Sequence, residues 1–95
     1  MGPSENTVQS NIPQGVPTGR PLTFGEKAVG LTFNPGNDAT VDKLKSLYAQ
    51  IINVCNDIKT GPDTISADKA RLLSIAITEA QGAQMWAVKA VTWRE

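Results

Sequence analysis

The segment between Val41 and Ile58 constrains the fold most, because its apolar side chains recur at alternating intervals of three and four residues. The residues in this pattern are Val41, Leu44, Tyr48, Ile51, Cys55 and Ile58. Such spacing predicts one long helix with a seam like that of a coiled coil. Leu47, Ile52 and Val54 lie beside the seam, so the predicted apolar face is wider than one partner helix would cover.

A second long helix is predicted after the sequence Thr-Gly-Pro-Asp at residues 60–63, which ends the first helix and reverses the chain. We expect it to begin near Thr64 or Ser66 and to continue to Glu95, a length of about 45 Å. This second helix carries two faces available for packing. The first consists of Ala70, Leu73, Ile77, Ala80, Gln84, Ala87 and Val91, and the second of Leu72, Ala76, Glu79, Ala83, Trp86, Ala90 and Trp93.

A short helix is predicted at residues 24–29, because Thr23 and Glu26 have the spacing of a capping box and Gly30 can end the helix. The sequence Asn-Pro-Gly-Asn at residues 34–37 then predicts a turn before the first long helix. Residues 1–21, which contain four of the six prolines, are predicted to be a disordered arm. The predicted fold is therefore all-α, with residues 22–95 forming a short helix and a long antiparallel helical hairpin.

Two long helices and one short helix give a marginally stable monomer, since little apolar surface can be buried within one chain of this size. Wide apolar faces on both long helices favour a bundle made from several hairpins, although an ordinary dimer would also cover them. We therefore expect the chain to form homo-oligomers.

The composition excludes several classes of function. Nine basic and nine acidic residues leave no net charge, so no general attraction to DNA or to an anionic membrane is expected. The chain has no His and a single Cys, which excludes the usual zinc sites and His-dependent nucleophilic catalysis. Chemistry based on carboxylates or Lys remains open, but a domain this small favours a binding protein over an enzyme. No apolar run is long enough to span a bilayer, and we expect a soluble cytoplasmic protein without metal or cofactor.

The candidate ligand-binding residues surround the predicted turn. Lys27 could hold a phosphate, although on composition alone a solvated surface residue is the favoured interpretation. Gly36 would let a ligand approach the backbone, Asn37 could bond to a base or sugar, and Thr40 could bind phosphate from the first helical turn. The same residues could form only a turn and a helix cap.

Aromatic and basic residues elsewhere allow two interpretations each. Phe24 and Phe33 could stack on nucleobases, or they could be hydrophobic plugs between the arm and the helices. Arg71 could reach a phosphate at a symmetry axis if several hairpins meet, or it could belong to a solvated face. Trp86 and Trp93 favour packing between helices.

Two ungapped stretches resemble a phage family: FGEKAVGLTFNPGND at residues 24–38 and AITEAQGAQMWAVKAVTW at residues 76–93. They are similar to the anti-CBASS cyclic-nucleotide sponges of bacteriophages, which share a helical-hairpin domain with the phage anti-Thoeris sponges. The resemblance covers about residues 22–95. It implies a homohexamer that sequesters cyclic dinucleotides, such as cyclic GMP-AMP, and cyclic trinucleotides without cleaving them, in the cytoplasm of the infected host.

The resemblance also implies a binding site. It places Phe24 against a base, with Lys27 and the segment containing Gly36, Asn37, Ala39 and Thr40 around phosphate and sugar. Ala39 stands where some relatives have a basic residue, so Lys27 or Lys43 would have to replace that charge. The alternatives are a sponge for cyclic ADP-ribose-type signals of Thoeris and a helical scaffold or adaptor that binds no ligand. A small DNA-binding regulator would need a basic face that this sequence does not provide.

Overall fold

The computed structural model describes residues 19–95, and this part of the chain contains three helices and no strand. They are α1 (Phe24–Ala28), α2 (Ala39–Thr60) and α3 (Ala67–Val91). α2 and α3 pack against each other as an antiparallel hairpin, and α1 packs on α2. The predicted all-α fold and its order of helices are confirmed for these residues. Residues 1–18, most of the predicted disordered arm, lie outside the described part.

α1 has the caps that the sequence predicts. Glu26 N donates to Thr23 Oγ1 at 3.1 Å, and Thr23 N donates to Glu26 Oε1 at 2.8 Å, which completes the capping box. At the other end, Gly30 has a φ of 63°, and Leu31 N donates to Glu26 O at 3.0 Å. This six-to-one bond is that of a Schellman motif, which returns the chain sharply after a helix of five residues.

α1 lies directly on α2 because Gly25 has no side chain. Gly25 N donates to Asn53 Oδ1 at 2.7 Å, and Asn53 Nδ2 donates to Thr23 Oγ1 at 3.0 Å. On the opposite side, Gln81 Nε2 of α3 donates to Ala28 O at 3.3 Å. These bonds fix α1 against the hairpin, and its position determines where Phe24 and Lys27 lie.

α3 is shorter than predicted. It begins after the N-cap Ser66 but ends at Val91, so the predicted continuation to Glu95 is wrong. Thr92 Oγ1 donates to Val88 O at 2.8 Å, and Trp93 N donates to Ala90 O at 3.3 Å, an i-to-i−3 bond that tightens the last turn. The helix is therefore about 37 Å long, and residues 92–95 leave its axis.

The core lies where all three helices meet. Its buried residues are Val29, Leu31, Ala49, Ile52 and Ile77. The buried line of α2 within one protomer differs from the predicted seam, because Ile51 and Ile58 are exposed while Ile52 is fully buried. Two elements pack on α2, and the close approach of α1 at Ala49 moves the buried line toward Ile52.

The two predicted faces of α3 differ in burial within one protomer. Ile77 and Gln84 of the first face are buried against α2, whereas Leu72, Trp86 and Trp93 of the second face are exposed. The smallest extent of the molecule is 15 Å, against 44 and 42 Å along the other two axes. The protomer is therefore flat, and its broad faces are large compared with its small core.

Candidate functional site

The turn between α1 and α2 is fixed by a polar network around Asn34. Asn34 Nδ2 donates to Asp38 O and to Asp42 Oδ1, both at 2.8 Å, and Asp38 N donates to Asn34 Oδ1 at 3.2 Å. Asn37 N donates to Asn34 O at 2.9 Å. Asn37, rather than Gly36, adopts the left-handed conformation, with a φ of 50°, which Asn tolerates better than most residues. The network holds Gly36 and Asn37 on the surface.

The start of α2 already has a carboxylate cap. Asp38 Oδ1 accepts hydrogen bonds from Thr40 N at 2.8 Å and from Val41 N at 3.4 Å. These backbone N–H groups are the ones that would otherwise attract a phosphate at a helix N-terminus. The exposed hydroxyl of Thr40, rather than its backbone, is thus the group open to a ligand.

Lys45 holds the loop between α1 and α2 from the inside. Its side chain is almost fully buried, and Nζ donates to Gly30 O at 2.9 Å and to Phe33 O. Nζ also lies 5.5 Å from the centre of the Phe33 ring, within cation–π range. Burial lowers the pKa of the Lys45 amine, and the charge of Asp42 opposes that shift. The side chain therefore positions the backbone that carries the exposed Phe33 ring.

The larger cavity, here called the tail cavity, has a volume of about 560 Å³. It lies where the turn, the first half of α2 and the end of α3 meet. Its lining residues are Phe33, Asn34, Pro35, Gly36, Asp38, Val41, Lys45, Val88, Val91, Thr92, Trp93 and Arg94. A second, more open cavity of about 420 Å³ shares Phe33, Lys45 and Val88 with it, and it adds Lys27 and Met85.

The predicted site residues occupy three regions of the protomer. Gly36, Asn37, Ala39 and Thr40 lie together at the turn and the start of α2, and all four are exposed. Lys27 lines the second cavity, and Phe24 is half-exposed at the start of α1. Arg71 lies near the start of α3, about 30 Å along that helix from Val91, and it pairs loosely with Asp68 at 3.9 Å. One protomer therefore does not bring Arg71 to the turn, and a shared site would need a second chain.

Sequence reasoning did not identify Lys45 and Arg94 as residues around a cavity. The sequence does contain a signal for Lys45. This residue stands four positions after Val41 and four before Ala49, and all three are buried in α2. A Lys in such a position must find polar partners. No comparable signal exists for Arg94, whose place depends on where α3 ends.

Comparison with known families decides the classification. The family model for the Acb2/Tad1 hairpin domain matches residues 26–92, which includes the second half of α1, the turn and both long helices.

The chain belongs to the Acb2/Tad1 hairpin-domain family.

This is the family of the phage anti-CBASS and anti-Thoeris sponges, as the sequence resemblance predicted. No curated protein and no solved structure shows significant similarity to this member of the hairpin-domain family. None of its helices within residues 19–95 combines the length and the apolar character needed to cross a bilayer. Across the same residues, no three side chains of His, Cys, Asp or Glu are grouped so that they could hold a metal ion.

Proposed function

We propose that this protein binds cyclic oligonucleotide second messengers in the cytoplasm of the infected bacterial host and sequesters them without cleavage. Its targets are cyclic dinucleotides, such as cyclic GMP-AMP, and cyclic trinucleotides, so that the effector of CBASS is not activated. The observation that carries this proposal is membership of the Acb2/Tad1 hairpin-domain family over residues 26–92.

The proposed assembly is a homohexamer of hairpins. The flat shape of the protomer and the exposed apolar residues on α2 and α3 support an assembly, because one protomer leaves these residues uncovered. The exposed large apolar residues of the two helices are Leu47, Ile51, Val54, Ile58, Leu72, Ile75, Met85, Trp86 and Val91. Family resemblance, rather than these residues, is the reason for choosing six copies.

The proposed dinucleotide site lies between protomers. Phe24 stacks on a base, Lys27 neutralises a phosphate, and the exposed Gly36, Asn37, Ala39 and Thr40 surround the sugar and phosphate of the ligand. Two symmetry-related copies of these groups match a ligand that itself carries two bases and two phosphates. Arg71 lies too far along α3 to join them in the same protomer, so it would contact a phosphate where several hairpins meet.

Sequestration requires affinity and no catalytic group. The chain contains no His, and the structure groups no metal ligands within residues 19–95, so no activated nucleophile for a phosphodiester is evident in that region. We propose that the ligand is released chemically intact when the protein is denatured.

A thermal-shift and calorimetry series tests this function. The ligands are a cyclic dinucleotide, a cyclic trinucleotide and a cyclic ADP-ribose isomer, because ligand binding to the folded state raises its apparent stability. We expect stabilisation by the first two and recovery of intact ligand by chromatography after heating. Stabilisation by the cyclic ADP-ribose isomer alone would favour an anti-Thoeris sponge, and no response to any ligand would favour a scaffold.

A further inference from the structure

We propose that the tail cavity binds one nucleotide unit of the sequestered ligand, with Arg94 contacting its phosphate and Trp93 stacking on its base. This inference rests on the proposed function and adds the C-terminal residues to its binding site. It depends on the end of α3 at Val91, which lets Trp93 and Arg94 line the cavity together with the turn.

The size of the tail cavity suits a small ligand. Its volume of about 560 Å³ lies within the range of about 300–1,000 Å³ found for small-molecule sites. It is formed by segments distant in sequence, namely the turn, α2 and the end of α3. The Asn34 network and Lys45 fix the turn and the loop, so this wall of the cavity is formed before a ligand arrives.

The charge around the tail cavity favours an anion. Asp38 is the acidic residue in its lining, and its carboxylate already accepts two backbone N–H bonds at the start of α2. Arg94 also lines the cavity and makes no ion pair with any residue in the described 19–95 range. The Arg94 guanidinium is therefore the charged group available to a phosphate, which it can bind through two parallel hydrogen bonds.

Two aromatic rings accompany this cation. Phe33 and Trp93 line the tail cavity from the loop and from the tail, and their exposed fractions are 71% and 60%. Large exposed rings beside a free guanidinium are the features that recognise a nucleobase attached to a phosphate. Lys89 Nζ lies 5.9 Å from the Trp93 ring, so a second positive charge is close by.

The test measures the affinity of full-length Arg94→Gln and Trp93→Ala for 3′,3′-cyclic GMP-AMP by calorimetry. We expect Arg94→Gln to weaken binding about ten- to a hundredfold and to reduce its salt dependence. Trp93→Ala should weaken binding about five- to a hundredfold. Both residues are exposed and follow the last helix, so both variants should keep the unfolding temperature and mass of the wild type.

Two control variants distinguish a loss of affinity caused at the tail cavity from one caused by any change to the protein surface. Lys69→Gln removes an exposed cation near the start of α3, at the end of that helix away from the tail cavity. Lys59→Gln removes an exposed cation at the far end of α2. Unchanged affinity in Arg94→Gln and Trp93→Ala, or equal losses in the controls, would overturn the inference while leaving the sponge function intact. Wild-type protein that binds no cyclic oligonucleotide would overturn both proposals.

Discussion

Glu26 illustrates how much a single side chain can organise in a small domain. Its carboxylate accepts two hydrogen bonds from the Arg20 guanidinium, at 2.9 and 2.8 Å, and a third from Thr23 N. The bonds from Arg20, with smaller contributions from Thr23, lower the pKa of Glu26 from 4.5 to about 2. One residue thus caps α1 and ties the preceding segment to it.

The pH dependence of stability should report this arrangement. A carboxyl group with a lowered pKa in the folded state stabilises that state above its unfolded pKa, and the stabilisation disappears as the pH falls. We expect Glu26→Gln to reduce the free energy of unfolding at neutral pH by about 1 kcal/mol, since Arg20 is half-exposed to solvent. Urea unfolding should show this difference shrinking between pH 4.5 and about pH 2. A difference that stays constant over that range would contradict the assignment.

Substitution of the single residue Phe24 tests its proposed role in ligand binding. Stacking on an aromatic ring contributes about 1–3 kcal/mol per base, and a ligand between two protomers would contact two copies of Phe24. Phe24→Ala should therefore weaken cyclic dinucleotide binding by roughly two to four decades. Lys27→Ala should weaken it less and reduce its salt dependence.

Calorimetry on variants with unchanged mass decides between a stacking residue and a hydrophobic plug. Loss of the assembly in Phe24→Ala would indicate a structural role, because a half-exposed ring can also pack against another chain. Unchanged affinity in an intact assembly would show that the ligand site lies elsewhere.

At the level of helices, the position of α1 depends on one glycine. A Cβ on Gly25 would overlap Ala49 O of α2 and lie 2.8 Å from Asn53 Oδ1. The first contact is with helix backbone, which a change of rotamer cannot relieve. We expect Gly25→Ala to lower the free energy of unfolding by about 2 kcal/mol through overpacking and to speed hydrogen exchange at Gly25 N, whose bond to Asn53 would be lost.

Gly36→Ala is the matched control for this prediction. A Cβ at Gly36 meets no atom within 4 Å, and its φ lies outside the left-handed region. The free energy of unfolding of Gly36→Ala should stay within about 0.5 kcal/mol of that of the wild type. If both glycine variants were equally stable, α1 would not be held by the contact at Ala49.

The helices were predictable because their signals are local. Thr23 and Ser66 cap helix starts through short-range bonds, and α2 ends at the Gly-Pro sequence of residues 61–62, as predicted. The buried line of α2 was not predictable, because Ile51 and Ile52 are equally apolar and only the packing of α1 distinguishes them. The end of α3 at Val91 was missed because Trp93 and Arg94 are compatible with a helix.

The site was predictable in part. The turn at residues 34–37 follows from residue types and is present in the structure, whereas residue types alone allow either Asn37 or Asp38 as the cap of α2, and the structure has Asp38. The tail cavity was not predictable from the sequence, because it joins the turn to residues more than fifty positions later in the chain. Which protomers contribute to a ligand site depends on the assembly, and the pattern of one sequence does not define it.

For the whole molecule, the large apolar side chains exposed on a flat protomer make assembly the main question. Trp86 is 72% exposed on the outer face of α3, although it is the kind of large side chain that stable domains cover. We expect Trp86→Glu to reduce the mass measured by light scattering from that of the proposed hexamer to that of smaller species. The helical content by circular dichroism should stay the same, because the ring lies outside the core of the protomer.

Gln50→Glu adds the same charge at an exposed polar position of α2 and should leave the mass unchanged. A Trp86→Glu protein that remains hexameric would remove this face of α3 from the interface. A wild-type protein that is monomeric at micromolar concentration would contradict the proposed assembly altogether.

The order of contacts along the chain determines how fast the protein folds relative to its synthesis. The extensive contacts join α1 with α2 and α2 with α3, so each helix packs mainly on its neighbour in sequence. Proteins dominated by such near-neighbour contacts fold in microseconds to milliseconds, which is far shorter than the time needed to translate even a short chain. We therefore expect the contacts between neighbouring helices to form as soon as each copy leaves the ribosome, and assembly to stabilise them afterwards. The rate at which copies accumulate and meet one another, rather than folding, would then set how early in an infection messenger capture begins.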